Sequence, residues 1–351
     1  MASAISPATN FAKANMKSGL KLLPSTIGCL LLFGGAALLQ QARMPPPSAP
    51  GTNCSLRSLS ALSVSALSFS SAVFPAPRNT QASLDHTHSY LGFDRNIYPG
   101  DDALPILRKT FLFASYWLSP PPGEKTNTWS GKRELLRSRG FGFLVLFRGP
   151  QSSELQSIWS ESRVNRADRL QAQAEKRGTS DASAAAAAAR KEGFPSHTVI
   201  FLDIEEGGRL PAVYHVYLRA WVDRLMGAGY RAGVYCSGMP VSEGRGATII
   251  TADDIRNNVR SRDLIYWVYN DACPPSPGCA FLQDPPALSK SGSSNAAVWQ
   301  FAQSPRRKEF TAHCPAKYAP DGNCYAPGDT AHKWFLDVNT ATSPDPSGGA
   351  K

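Results

Sequence analysis

Asp203 and Glu205 stand two residues apart at the end of the run HTVIFLDIE (197–205), whose apolar and β-branched residues read as a strand. Residues i and i+2 of a strand point to one face with Cα atoms ~7 Å apart, so two carboxyl groups must share any cleft lined by that strand end. Mutual repulsion and partial burial raise the pKa of such a pair, and a glutamate that stays protonated near neutrality can donate to a leaving oxygen. Glu205 is therefore the candidate proton donor. Asp203 is the partner expected to stay ionised and to stabilise an oxocarbenium-like centre or orient an acetamido group. Taken alone, LDIEEGG is explained equally well as a strand end capping the next helix, with Glu206 as surface charge. Asp94, closing SYLGFD, and Asp337, within KWFLDVN, add two acids to the same kind of position.

Aromatic residues gather near these strand ends: Tyr116, Trp117, Tyr235, Trp267, Tyr269, Trp299 and Trp334. Flat apolar faces rimmed by hydrogen-bonding groups suit sugar rings, although alternation along a strand sends about half of them away from any cleft. Tyr235, Trp299 and Gln300 are the foremost candidates for substrate binding, followed by Trp117 and Tyr269. Other chemistries fare worse. No G-x-S-x-G elbow supports a serine hydrolase, and no glycine-rich phosphate turn follows the first strand. His86 and His88 in DHTHS sit at a linker boundary, where histidines are usually solvated, so neither a metal nor a cofactor is expected.

The elements that must carry these residues are eight short apolar runs separated by amphipathic or polar stretches: SYLGFD, TFLFASYWL, FGFLVLF, HTVIFLDIE, YRAGVYC, DLIYWVY, AAVWQFA and KWFLDVN. Alternation of strand and helix argues for parallel strands, and eight of them predict a closed α/β barrel of the (β/α)8, TIM-like kind over residues 89–342. Such barrels keep their catalysts at the C-terminal ends of the strands. The connection Gly149–Ser196 is unusually long; Asp181 is a candidate cap for its alanine-rich helix, which Gly193 and Pro195 would end.

The 351 residues carry a formal charge of +10, but residues 1–84 hold Lys13, Lys17, Lys21, Arg43, Arg57 and Arg78 without one acid. The remainder is only mildly basic, which argues against a nucleic-acid partner. Leu22 to Leu39 is uncharged and follows three lysines, the layout of a signal peptide or an uncleaved membrane anchor within residues 1–43. Residues 44–88, rich in Ser, Pro and Ala, read as a disordered linker, and 343–351 as a disordered tail. Met44 is an alternative start. Cysteine usage fits an oxidising destination: Cys273 with Cys279 and Cys314 with Cys324 each flank a short Pro/Gly-rich loop and are expected to pair locally, leaving Cys236 a buried free thiol. An exported protein, periplasmic, extracellular or bound to the cell envelope, is expected.

The motifs LGFDRN, FLDIEEGG, GVYCSG, AVWQFA and FLDVNTA, in that order, resemble the family-25 glycoside hydrolases, the lysozyme-type muramidases, and more closely the glycoside-hydrolase-like family called domain of unknown function 1906. The resemblance spans roughly residues 89–342. It implies a barrel that cleaves the β-1,4 bond after N-acetylmuramic acid, with Glu205 matching the acid/base, Asp203 its partner, and Asp94 and Asp337 the other two cleft acids. YWVYNDACPPSPGC, the long connection after Phe147 and GFDRNIYPGD depart from the muramidase pattern. Two functions follow: an exported, monomeric hydrolase of peptidoglycan or a related N-acetylated glycan, or a non-catalytic glycan-binding, cell-wall-associated barrel.

Overall fold

The computed structural model describes residues 88–157, 166–281, 285–313 and 317–351; the proposed leader or anchor, residues 44–87 of the linker, and Cys314 lie outside the described residues. All eight apolar runs form strands. In chain order they are β1 (Tyr90–Asp94), β2 (Phe113–Trp117), β3 (Gly142–Arg148), β4 (Val199–Asp203) and β5 (Arg231–Ser237), then an exposed hairpin of β6 (Pro240–Gly244) and β7 (Ala247–Ile250), then β8 (Ile265–Tyr269), β9 (Ala296–Ala302) and β10 (Asp337–Ala341). The described helices are α1 (Leu104–Leu107), α2 (Arg133–Ser138), α3 (Ser152–Ser157), α4 (Arg166–Lys191), α5 (Ala212–Gly227), α6 (Thr251–Asn258) and α7 (Lys308–Thr311).

The sheet closes in the order β1-β10-β9-β8-β5-β4-β3-β2, an eight-stranded barrel. It departs from a regular (β/α)8 barrel in its last strand, which is antiparallel to both neighbours. The cause lies in residues 303–336. After β9 the described residues make no long helix that would return the chain to the opposite end; the segment stays on the face where β9 ends and enters β10 from there. Asp337, the first residue of β10, is consequently the register partner of Asp94, the last of β1.

Inside the barrel the residues alternate as period-two strands require. Gly92 lacks a side chain where the Phe113 ring crosses the interior, and a Cβ there would meet that ring at 2.0 Å. Above this aromatic floor Trp267 packs against Phe201 and Tyr235, with ring centroids 5.7 and 4.8 Å apart. The four acids come next, at the rim.

Three expectations are corrected by the fold. The tail 343–351 is packed: Ser347 is buried, donates its N–H to the Phe143 carbonyl, accepts from Val199 N–H through its own carbonyl, and accepts from Val145 N–H through Oγ. The β3–β4 register begins only at Val145 and Ile200, so the tail supplies the partners that the splayed strand starts lack. Asp181 is no cap but an interior residue of the 26-residue α4, where it accepts from Arg177 and from the Tyr217 hydroxyl. Finally, Cys279 is bonded to Cys324 across 45 residues, and Cys273 is also disulfide-bonded, so neither local pair forms. The connections after β8 and β9 share one end of the barrel, and that nearness, with Cα atoms 5.3 Å apart, prevails over nearness in sequence. Cys236 is a buried free thiol, as expected.

Candidate active site

A cleft of about 270 Å³ opens where the parallel strands end, and Asp94, Asp203, Glu205 and Asp337 all line it. Asn96, Trp117, Leu146, Tyr235, Trp267, Gln303, Ser304 and Pro305 complete its wall. Each acid arrives by a different local route. Asp203 is the last residue of β4 and is 3% exposed. Glu205 lies two residues beyond, where solvent reaches it through the cleft although protein walls it on most sides. Its backbone carbonyl accepts the Tyr269 hydroxyl at 3.1 Å, which ties the segment after β4 to β8.

Asp94 is held by a network of neutral donors. Gln300 Nε2 and Asn339 Nδ2 both donate to its Oδ1, at 2.9 and 2.6 Å. Behind them, Trp267 Nε1 donates to Asn339 Oδ1 at 2.8 Å, and the Tyr235 hydroxyl and Gln303 Nε2 donate to Gln300 Oε1 at 2.8 and 2.6 Å. Every amide in this chain has its orientation dictated by a neighbour, so the carboxyl cannot swing without breaking several bonds.

Burial raises all four carboxyls. Asp94 is pushed up to about 6, with the amides of Asn339 and Gln300 opposing the rise and the Glu205 charge adding to it. Asp337 stands well above the usual range through burial and the Asp94 charge, against the pull of the Ser304 N–H. Asp203 is likewise raised well above it by burial and by the Glu205 and Asp94 charges, while Glu205 is raised less because Asp203 and Arg307 favour its ionised form. Desolvation penalises charge most where water is most excluded, so burial disfavours ionisation of both members of the pair at once.

Of the expected substrate-binding residues, Trp117 and Tyr235 line the cleft. Gln300 is buried beneath it as a support for Asp94, and Tyr269 packs behind Tyr235 at 5.3 Å. Trp299 is a correction: its neighbour Gln300 points inward, so alternation turns Trp299 out of the barrel, where it is fully buried and donates Nε1 to the Asn270 carbonyl at 2.9 Å. Tyr116 also points away, toward Glu192. Asn339, Gln303 and Arg307 were missed. Arg307 is ion-paired with buried Asp271 and lies over the Tyr269 ring at 5.2 Å, close enough to influence Glu205. Asn339 could have been found from its place two residues after Asp337 on one strand face; nothing local marks Arg307. Among the described residues no group of three or more His, Cys, Asp and Glu side chains is arranged to hold a metal ion.

The described residues thus form a closed eight-stranded barrel with four acids lining a cleft at one rim. Residues 123–278 match the family model of the Rv2525c-like, glycoside hydrolase-like domain, in keeping with the resemblance carried by the motifs. Similar solved structures include an uncharacterized protein of B. stearothermophilus, 21% identical over 72% of this chain and 95% of that one, with a TM-score of 0.44. The Tat-secreted protein Rv2525c of Mycobacterium tuberculosis is 14% identical over 74% of this chain and 96% of its own, with a TM-score of 0.42. The spore cortex lytic enzyme SleM of Clostridium perfringens is 13% identical over 73% and 68%, with a TM-score of 0.38. No curated protein matches the sequence.

Proposed function

We propose that the protein is an exported glycosidase acting on peptidoglycan or a related N-acetylated glycan, with Glu205 delivering the proton to the glycosidic oxygen. The observation that carries this reading is the stacking of one carboxyl behind another: Asp203 buried, Glu205 in front of it and open to the cleft. The pair shares a proton, as close buried carboxyls must. When a glycosidic oxygen reaches Glu205, the proton passes from Asp203 through Glu205 to that oxygen as the C–O bond breaks. Both carboxyls are then ionised beside a sugar carrying positive charge, which they stabilise in a site partly closed to water. Asp94, clamped by Gln300 and Asn339, adds negative charge at the opposite wall. Trp117 and Tyr235 offer the faces against which a sugar ring stacks. Export is supported by the uncharged leader-like segment and by oxidised cysteines, which belong in oxidising compartments.

The test is incubation of the purified protein with peptidoglycan and with N-acetylglucosamine oligomers, recording product masses. New reducing ends in wild type and none in Glu205→Gln are expected. Release of no sugar from any acetamido polymer, together with glycan binding that neither Glu205→Gln nor Asp203→Asn alters, assigns the barrel to binding without turnover.

A further inference from the structure

Residues 303–336 leave β9 and return to β10 on the cleft face, and among the described residues their one helix is the four-residue α7. An excursion of that length needs internal ties to hold one shape. Three of them meet at a single hydroxyl. Ser304 Oγ accepts from the Cys324 N–H at 2.8 Å and donates to the Leu336 carbonyl at 2.6 Å, while the Leu336 N–H donates to the Cys324 carbonyl at 2.9 Å. The beginning, middle and end of the excursion are thus joined in a triangle. The Cys324–Cys279 disulfide fastens that triangle to the connection after β8. Ser304 itself lines the cleft, and its backbone N–H donates to Asp337 Oδ1 at 2.5 Å.

We propose that Ser304 is a positioning residue, whose hydroxyl, anchored through Cys324 to Cys279, aims the backbone N–H that holds the Asp337 carboxyl in the cleft. A backbone donor is effective only while its peptide plane stays put, and here the plane is fixed by the side chain of the same residue. The Asp337 carboxyl is faced by Asp94 at the end of β1, Arg95 just beyond it, Glu205 beyond β4, Tyr235 from β5, Asp271 beyond β8 and Tyr318 within the excursion. Burial and the neighbouring acids push its proton affinity up, and the Ser304 N–H opposes them. Loss of that donor therefore drives Asp337 further toward its protonated form.

The site is the one invoked for glycan cleavage, but the measurement reads a titration instead of turnover, so a protein without glycosidase activity leaves it intact. The full chain, labelled with 13C at aspartate carboxyl carbons, is titrated by NMR, with Asp337→Asn assigning the resonance. The Asp337 midpoint is expected to move upward in Ser304→Ala and in the Cys279→Ser/Cys324→Ser pair, and to return toward wild type in Ser304→Thr, which keeps the hydroxyl. An unmoved midpoint in Ser304→Ala, or an equal shift in Ser304→Thr, overturns the role of the hydroxyl. An unmoved midpoint in the double cysteine variant overturns the anchoring by the disulfide. If Ser304→Ala does not fold, Ser304→Thr and the double cysteine variant decide: the first must keep the wild-type midpoint and the second must raise it.

Discussion

Asp94 and Asp337 are register partners across the seam where β10 runs antiparallel to β1, so the last residue of one strand and the first of the other bring two carboxyls to the same rim. A parallel final strand would have carried Asp337 at a different height. The reversal of one strand thus completes the four-acid cleft, at the cost of placing like charges side by side in a poorly solvated site.

That arrangement makes stability depend on pH in a definite direction. Asp94 is raised from 3.8 to about 6, so the folded protein binds this proton more tightly than the unfolded chain. Its contribution is complete below the unfolded value and is lost as pH climbs through the folded one, a difference of roughly 3 kcal/mol for a two-unit shift. Chemical denaturation at steps from pH 4 to pH 7 should show wild type losing stability over that window and Asp94→Asn losing less. Parallel losses in the two proteins would remove the account given of Asp94.

Glu205→Gln keeps the shape of the side chain and removes the carboxyl that hands the proton to the leaving oxygen. Turnover should fall by roughly 10²-fold or more, the usual scale of general-acid catalysis, with glycan binding retained. Asp203→Asn leaves the cleft-facing Glu205 carboxyl, which solvent reaches and can protonate, and should slow turnover less. Equal turnover in wild type and Glu205→Gln, measured as reducing ends released, would dismiss Glu205 as the donor.

Neighbours on one strand lie on one side of the scissile bond, and inverting enzymes need opposed carboxyls ~6.5 to 9.5 Å apart with a water between. Asp203 and Glu205 are in hydrogen-bonding contact. Retention of anomeric configuration is therefore expected, with the substrate's own acetamido oxygen as nucleophile and Asp203, once deprotonated, orienting it. Proton NMR of the first-formed sugar decides, and an inverted product excludes this route.

The packing of α4 on α5 offers a test remote from the cleft. Gly178 sits in the interior of α4, where a Cβ would lie 2.2 Å from the Tyr217 carbonyl oxygen. Alanine is the better helix former by about 1 kcal/mol, but pushing two packed helices apart costs about 1 to 3 kcal/mol. Gly178→Ala should therefore lower the denaturation midpoint. A raised midpoint would mean that the helices separate freely.

The Cys279–Cys324 bond closes 45 residues of chain. By the loop-entropy argument its removal should destabilise the fold by about 4 kcal/mol. Peptide mapping under non-reducing conditions should recover the 279–324 cross-link, and a 273–279 link in its place would contradict the fold of the rim.

Strands were legible in the sequence because their signal is local: an apolar run bounded by polar residues and turns reads as a strand wherever it ends up. The same locality placed Asp203 and Glu205 on one face, whereas adjacent Trp299 and Gln300, both sequence candidates for the cleft, must lie on opposite faces because period two requires it. Which of those opposite faces looked inward was decided only when the barrel closed and Asp94 met Gln300. Tertiary structure alone decided the direction of β10, the partner of Cys279, the docking of the tail under β3 and β4, and the depth of Asp203 behind Glu205. Each of these depends on distances between residues far apart in the chain, and on how much water the surrounding protein excludes, neither of which a local pattern encodes.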